Sequence, residues 1–166
     1  MPLFWFVADV ISFGLAFSIN SLEGDVYFYG IILGSACIVV AASMGFIAEC
    51  IGRKASFFLV FLLNLVGSVC YQFLSSSDFL RYLFIFIAKL GANGAFGMCY
   101  MVTSEVFPTR YRGLMFGICN MAARVGGILA PQFSTNISPN YFVLIFASLS
   151  FVCMVVTPLL DRKSVV

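Results

Sequence analysis

Six long apolar runs, separated by short polar segments, divide the chain from end to end. They cover roughly residues 3–19, 26–48, 55–74, 83–103, 113–133 and 141–160. A helix needs about 20 mainly apolar residues to cross a bilayer, and none of the runs alternates as a half-buried strand does. The pattern predicts an all-α, polytopic membrane protein: a single bundle, residues 1–166, of six transmembrane helices. The intervening segments supply the breaks. They are Asn20–Asp25, the Glu49–Lys54 loop, the Ser75–Asp78 turn and the Glu105–Arg112 loop, with an Asp161–Val166 tail after the last run.

Composition strengthens this picture. Hydrophobic residues make up 62% of the 166 positions and charged residues only 10%. A soluble domain is nearer half apolar and a quarter charged, so lipid is the solvent that fits, and no length is left for a separate soluble domain. The net charge of +2 is too small to argue for a nucleic-acid partner. The chain has no histidine, and its six cysteines stand singly, mostly inside apolar runs. That reads as reduced, packed thiols rather than a metal or haem site. No cofactor is expected. No nucleophile–base pair or phosphate loop is visible, so an enzyme is not expected either. The first residues lack the basic charge of a cleavable leader.

Charge also predicts orientation. With alternating spans, Arg53, Lys54, Arg110, Arg112, Arg162 and Lys163 fall on one side, and of the remaining basic loop residues only Arg81 lies near the other. The turn on that other side carries Glu23 and Asp25. The positive-inside rule places both termini in the cytoplasm, or in the matrix of a mitochondrion. The plasma membrane and the mitochondrial inner membrane both fit. Small residues that would let helices approach recur at Gly30 and Gly34, at Gly91, Gly94 and Gly97, at Gly113 and Gly117, and at Gly126 and Gly127.

Two loops make the reading specific. Gly45-Phe-Ile-Ala-Glu49-Cys-Ile-Gly52-Arg53-Lys54 joins spans two and three. It resembles the signature loop of the major facilitator superfamily, with Glu in place of the usual Asp. Glu105-Val-Phe-Pro108-Thr109-Arg110-Tyr-Arg112-Gly113 joins spans four and five. It resembles the loop between the tenth and eleventh helices of that superfamily's sugar and organic-ion transporters. Ala123-Arg124-Val-Gly126-Gly127-Ile-Leu-Ala-Pro131, Leu22-Glu-Gly-Asp25-Val-Tyr27 and Ala88-Lys89 are similar to segments of the organic cation/anion/carnitine transporter family. The likeness is to the carboxy-terminal six-helix half of that family, over nearly the whole chain.

The resemblance implies roles. Gly45, Glu49, Gly52, Arg53 and Lys54 would form one cytoplasmic latch. Glu105, Pro108, Thr109, Arg112 and Gly113 would form a second, with Glu105 bonding Arg112. In the family, the position of Arg124 lies toward the central cavity, where an arginine goes with organic anions or zwitterions. Arg124 and Lys89 are therefore the substrate-binding candidates. A cation within an apolar span is expensive in lipid and normally faces the bundle or a wet cavity, so a structural ion pair, with Asp9 or with a partner chain, is the competing reading of Arg124.

Family members carry two six-helix halves with substrate between them, and this chain begins with Met1 at the first span of one half. The expectation is thus an accessory or structural subunit of a larger membrane complex, such as a mitochondrial respiratory assembly, with other membrane subunits as partners. The alternative is transport of small organic ions, as a dimer or with a complementary six-helix half. A fragment of a longer chain is the third reading.

Overall fold

The computed structural model describes residues 1–17, 26–74, 77–136 and 139–157. The described residues are helical throughout, joined by turns: α1 Pro2–Phe17, α2 Val26–Ile51, α3 Arg53–Leu74, α4 Asp78–Val106, α5 Thr109–Asn136 and α6 Pro139–Val156. Proline at the first position of α1 and of α6, and just before α5, fits helix starts, where the missing N–H costs nothing.

Among the described residues, four segments are long and apolar enough to cross a membrane: Tyr27–Ile51, Arg53–Phe73, Phe79–Val106 and Thr109–Gln132. Pro2–Phe17 and Ala147–Val156 are shorter apolar helices. The expected third, fourth and fifth spans are longer than anticipated. The helices continue through the polar loops, because a polar residue marks the edge of the lipid and not the end of the backbone ladder. The expected loop at Glu49–Lys54 shrinks to a break at Gly52, and the one at Glu105–Arg112 to Phe107 and Pro108. The acidic turn with Glu23 and Asp25, and the tail with Arg162 and Lys163, lie outside the described residues.

Packing centres on α3 and α4. Lipid gives apolar helices little reason to associate, so close backbone contact must supply the attraction. A Cβ on Gly67 would lie 2.8 Å from the Cα of Ala88, and one on Gly91 would lie 2.6 Å from the carbonyl oxygen of Val60. Two helices this close leave no space between them for a side chain. Asn64, buried at the same crossing, donates from Nδ2 to the carbonyl of Ala88 at 2.8 Å and accepts from the Ser150 hydroxyl of α6 at 2.6 Å. One amide thus ties α3 to both α4 and α6. Towards the other end, Tyr29 and Leu33 of α2 pack with Ile85 of α4, and Tyr29 meets the Tyr82 ring at 4.8 Å.

The short helix α1 lies against α4 and α5 and buries residues on most of its faces. Trp5 is fully buried, donates its indole N–H to Thr103 of α4 at 3.0 Å, and packs among Phe96, Tyr100 and Phe116. On α5, a Cβ at Gly126 would meet the carbonyl oxygen of Phe6 at 2.8 Å. Gly30, Gly34, Gly97, Gly113 and Gly117 have nothing within 4 Å of where a Cβ would stand. The glycines of α2, and those at the start of α5, are therefore not used in contacts within this chain.

This division gives a direct check. Gly91→Ala should destabilise the detergent-solubilised protein by about 1–3 kcal/mol through overpacking. Gly97→Ala should be neutral or stabilising, by up to about 1 kcal/mol of helix propensity. Thermal unfolding of the two variants side by side reads the difference; equal losses would contradict the assigned α3–α4 contact.

Candidate functional site

Charged and polar side chains gather in two places, one at the end of the bundle where α2, α3, α4 and α5 meet their connections, and one inside it. The first is built on Gly52. Its φ of +90° is a left-handed conformation that glycine adopts at no steric cost. The turn lets α3 begin at once on Arg53. Ser56 returns to the break: its backbone N–H and its hydroxyl both donate to the Gly52 carbonyl, at 3.0 and 2.9 Å. Arg53 is thereby fixed at the first position of α3, and it forms an ion pair with Glu105 in the last turn of α4.

That pair differs from the expected one. Glu105 bonds Arg53 of the other motif, not Arg112 of its own. The tight α3–α4 contact carries Glu105 to the start of α3, whereas α5, which holds Arg112, makes little contact with α4. Arg112 is half-buried, and its Nε is buried without a hydrogen-bond partner. Glu49 and Lys54 are exposed, and Gly45 and Gly113 face open space. Pro108 separates α4 from α5, and its carbonyl accepts the N–H groups of Tyr111 and Arg112 at 3.0 and 3.1 Å. Thr109 is the first residue of α5. A mainly apolar cleft of about 610 Å³ lies beside this end, lined by Ile51, Lys54, Ala55, Phe58, Leu59, Leu62 and Thr157. It includes neither substrate candidate.

The second group lies within the helices. Lys89 of α4 is 5% exposed, and its Nζ donates to the carbonyl oxygen of Ser12 at 2.7 Å and to its hydroxyl at 3.3 Å. The Ser12 hydroxyl donates in turn to Oδ1 of Asn93 at 3.0 Å, and Asn93 Nδ2 donates to the Cys37 sulfur of α2 at 3.0 Å. Lys89 and Asn93 are four apart on α4, so they share a face. The chain of bonds links α1, α4 and α2. Arg124 of α5 is exposed. Three residues on, Gly127 faces Asp9 of α1: a Cβ there would meet Oδ2 at 2.9 Å. Arg124 and the Asp9 carboxylate form no direct ion pair. Lys89 and Arg124 thus have opposite surroundings, one buried and bonded to neutral oxygens, the other exposed.

Ser12, Asn93, Cys37 and Asn64 are the polar partners that motif reasoning passed over. Their signal is present in the sequence as polar residues inside apolar runs, with Ser12 three after Asp9 and Asn93 four after Lys89. Among the described residues no group of three or more His, Cys, Asp or Glu could hold a metal ion.

Known proteins give an independent measure. The Major Facilitator Superfamily profile matches residues 2–165. Solute carrier family 22 member 15 of Xenopus tropicalis is 29% identical over 143 residues, 76% of this chain and 26% of that protein. Solute carrier family 22 member 4 of Mus musculus is 30% identical over 138 residues, 79% of this chain and 24% of that protein. The organic cation/carnitine transporter 2 of Homo sapiens is 28% identical over 134 residues, with 79% and 24% covered. The similarity spans about a quarter of the length of these relatives. It favours transport, and nothing in it supports the expected accessory subunit of a respiratory assembly.

The ion pair between exposed groups, 40% and 44% accessible, should be weak. Arg53→Ala and Glu105→Gln should each cost less than about 1 kcal/mol, and the double variant less than their sum. A double-mutant cycle on unfolding in detergent measures this. Coupling of Glu105 to Arg112 instead of Arg53 would contradict the pairing seen.

Proposed function

The chain belongs to the major facilitator superfamily, and from that premise we propose that it moves small organic anions or zwitterions across a membrane, as one six-helix half working with a second. The second half is another copy of this chain or a complementary six-helix bundle. Both apolar helices with the least buried surface, α2 and α5, would face it. All six helices would span the bilayer in one bundle, with the Arg53–Glu105 end on the cytoplasmic or matrix side, as the positive-inside rule requires.

The exposure of Arg124 carries this reading. A guanidinium well inside a long apolar helix costs about 2.5–3.5 kcal/mol at the bilayer centre, even on the most lenient scale. Such a group is tolerated where it faces a wet cavity or a counter-anion. A cavity between two bundles provides both, and a substrate carboxylate suits the bidentate guanidinium. Lys89 already has its ammonium bonded to α1, so in this reading it holds the cavity wall in shape and supplies a positive field, while Arg124 makes the contact. The Gly52 turn and the Arg53–Glu105 pair would act as the latch. It ties α3 to α4 in one conformation and opens in the other, at the small cost expected of an exposed pair.

Carnitine is the first substrate to test, because relatives are named as carnitine transporters. The particle isolated in mild detergent should contain two six-helix bundles. Reconstituted into liposomes, it should take up labelled carnitine, and Arg124→Ala should lower uptake by about tenfold or more, the loss that follows removal of a desolvated charge partner. Uptake unchanged by Arg124→Ala would overturn the substrate contact. A particle of many unrelated subunits, without uptake, would overturn the transport reading.

A further inference from the structure

The apolar cleft beside the Gly52 turn has no part in the proposed transport site. Its lining comes from Ile51 at the end of α2, from α3 between Lys54 and Leu62, and from Thr157 just after α6. No residue of α1, α4 or α5 lines it, so it lies apart from Arg124 and Lys89. Ile51, Phe58 and Leu62 are exposed, and α3 is long and apolar enough to cross a membrane. An exposed apolar flank of this kind marks contact with a membrane or a partner. Lys54, Phe58 and Leu62 are spaced by four and share one face of α3. From Lys54 to Leu62 the helix rises about 12 Å. One leaflet contributes about 15 Å to the hydrocarbon core, so the groove matches the chain of a lipid from a single leaflet. Its volume of about 610 Å³ is lined almost wholly by apolar side chains, which suits a hydrocarbon chain and not water.

The polar end of the groove is equally defined. Lys54 is the second residue of α3, next to the Gly52 turn, and it is the charged residue of the lining. Arg53 beside it is paired with Glu105, and the exposed Glu49 does not line the cleft. A lysine at such a border keeps its stem along apolar surface and its ammonium at headgroup depth. The positive end of the α3 macrodipole adds to its field. A basic group at the mouth of an apolar groove between helices fits an anionic headgroup. We propose that this cleft binds an anionic phospholipid, with one acyl chain along α3 from Ala55 to Leu62 and the phosphate held at Lys54. The lipid would fill the gap between α3 and the end of α6, extending to the membrane border the contact that Asn64 and Ser150 make deeper in the bundle. A zwitterionic lipid has the same chains, but the cation in its headgroup opposes Lys54, so a preference for anionic lipid separates a site from ordinary contact with the bilayer.

Tryptophan quenching by lipids with brominated acyl chains tests this. The chain has one tryptophan, Trp5, which is fully buried, so the unmodified protein supplies the background signal. Phe58→Trp places a reporter in the cleft at a position that is already aromatic and exposed. In vesicles of mixed phosphatidylcholine and phosphatidylglycerol, that reporter should show about fivefold higher relative affinity for brominated phosphatidylglycerol, the preference one basic residue confers near a membrane surface. Adding Lys54→Gln should bring the ratio to about one, as should moving the reporter to the exposed Phe151 of α6 by Phe151→Trp in the Lys54 protein. All three positions are exposed, so the variants leave the packed interior intact. Equal quenching by the two lipids at Phe58→Trp, or a preference that survives Lys54→Gln, would overturn the proposal. The same preference at Phe151→Trp would also overturn it, since anionic lipid would then be enriched around the whole protein and not held in the cleft.

Discussion

The bundle depends on the crossing of α3 and α4. Two apolar helices in lipid gain little by hiding side chains, since the lipid is as apolar as they are. What holds them is the number of atoms in contact, and that number rises steeply as the backbones approach. Gly67 against Ala88, and Gly91 against Val60 and Asn64, bring the backbones together. Asn64 then turns proximity into geometry. Its amide needs partners because no water reaches it, and the two it has come from different helices. The same crossing decides the register of α4, and with it the placement of Lys89, Asn93 and Thr103 along its length.

Everything α1 does follows from that register. Its Trp5 and Ser12 meet Thr103 and Lys89, seven residues apart on α1 and fourteen apart on α4. Two bonds far apart on the same pair of helices fix both their relative height and their rotation. α5 then lies on the other side of α1 through Gly126 and Gly127. α5 holds few contacts with α4 or α6, so α1 is its main attachment within the chain. A short helix thus serves as the spacer that positions Arg124 relative to the rest.

Much of this was legible in the sequence, and what was not had a physical cause. The helices followed from apolar runs, because chain length and bilayer thickness leave little choice. Their ends did not follow, since Glu49, Glu105, Thr109 and Arg112 are polar yet helical, and polarity reports lipid depth only. The Gly52 turn was readable from its motif. The partner of Glu105 was not, because Arg53 lies 52 residues away and is brought near only by the α3–α4 contact. Similarly, the glycine pairs looked equivalent, but Gly91 and Gly126 are filled contacts while Gly30 and Gly113 face open space. A sequence shows which residues permit close approach; the fold decides which of them meet a neighbour. Six spans were expected, and among the described residues four helices meet the length and apolarity of a crossing.

The two intramembrane cations show how far identical charge can diverge in use. Lys89 is surrounded by α1 and α4, and its three donor hydrogens find two oxygens of one serine. An ammonium so placed is a clamp: moving it exposes a buried charge without a partner, which costs several kcal/mol. Arg124 has no such bonds to lose. Across the α1–α5 contact, Asp9 is buried with an Oδ2 that has no hydrogen-bond partner. In the proposed reading the buried cation holds the wall in shape and the exposed one meets the substrate, on a face of α5 that its own chain leaves largely uncovered.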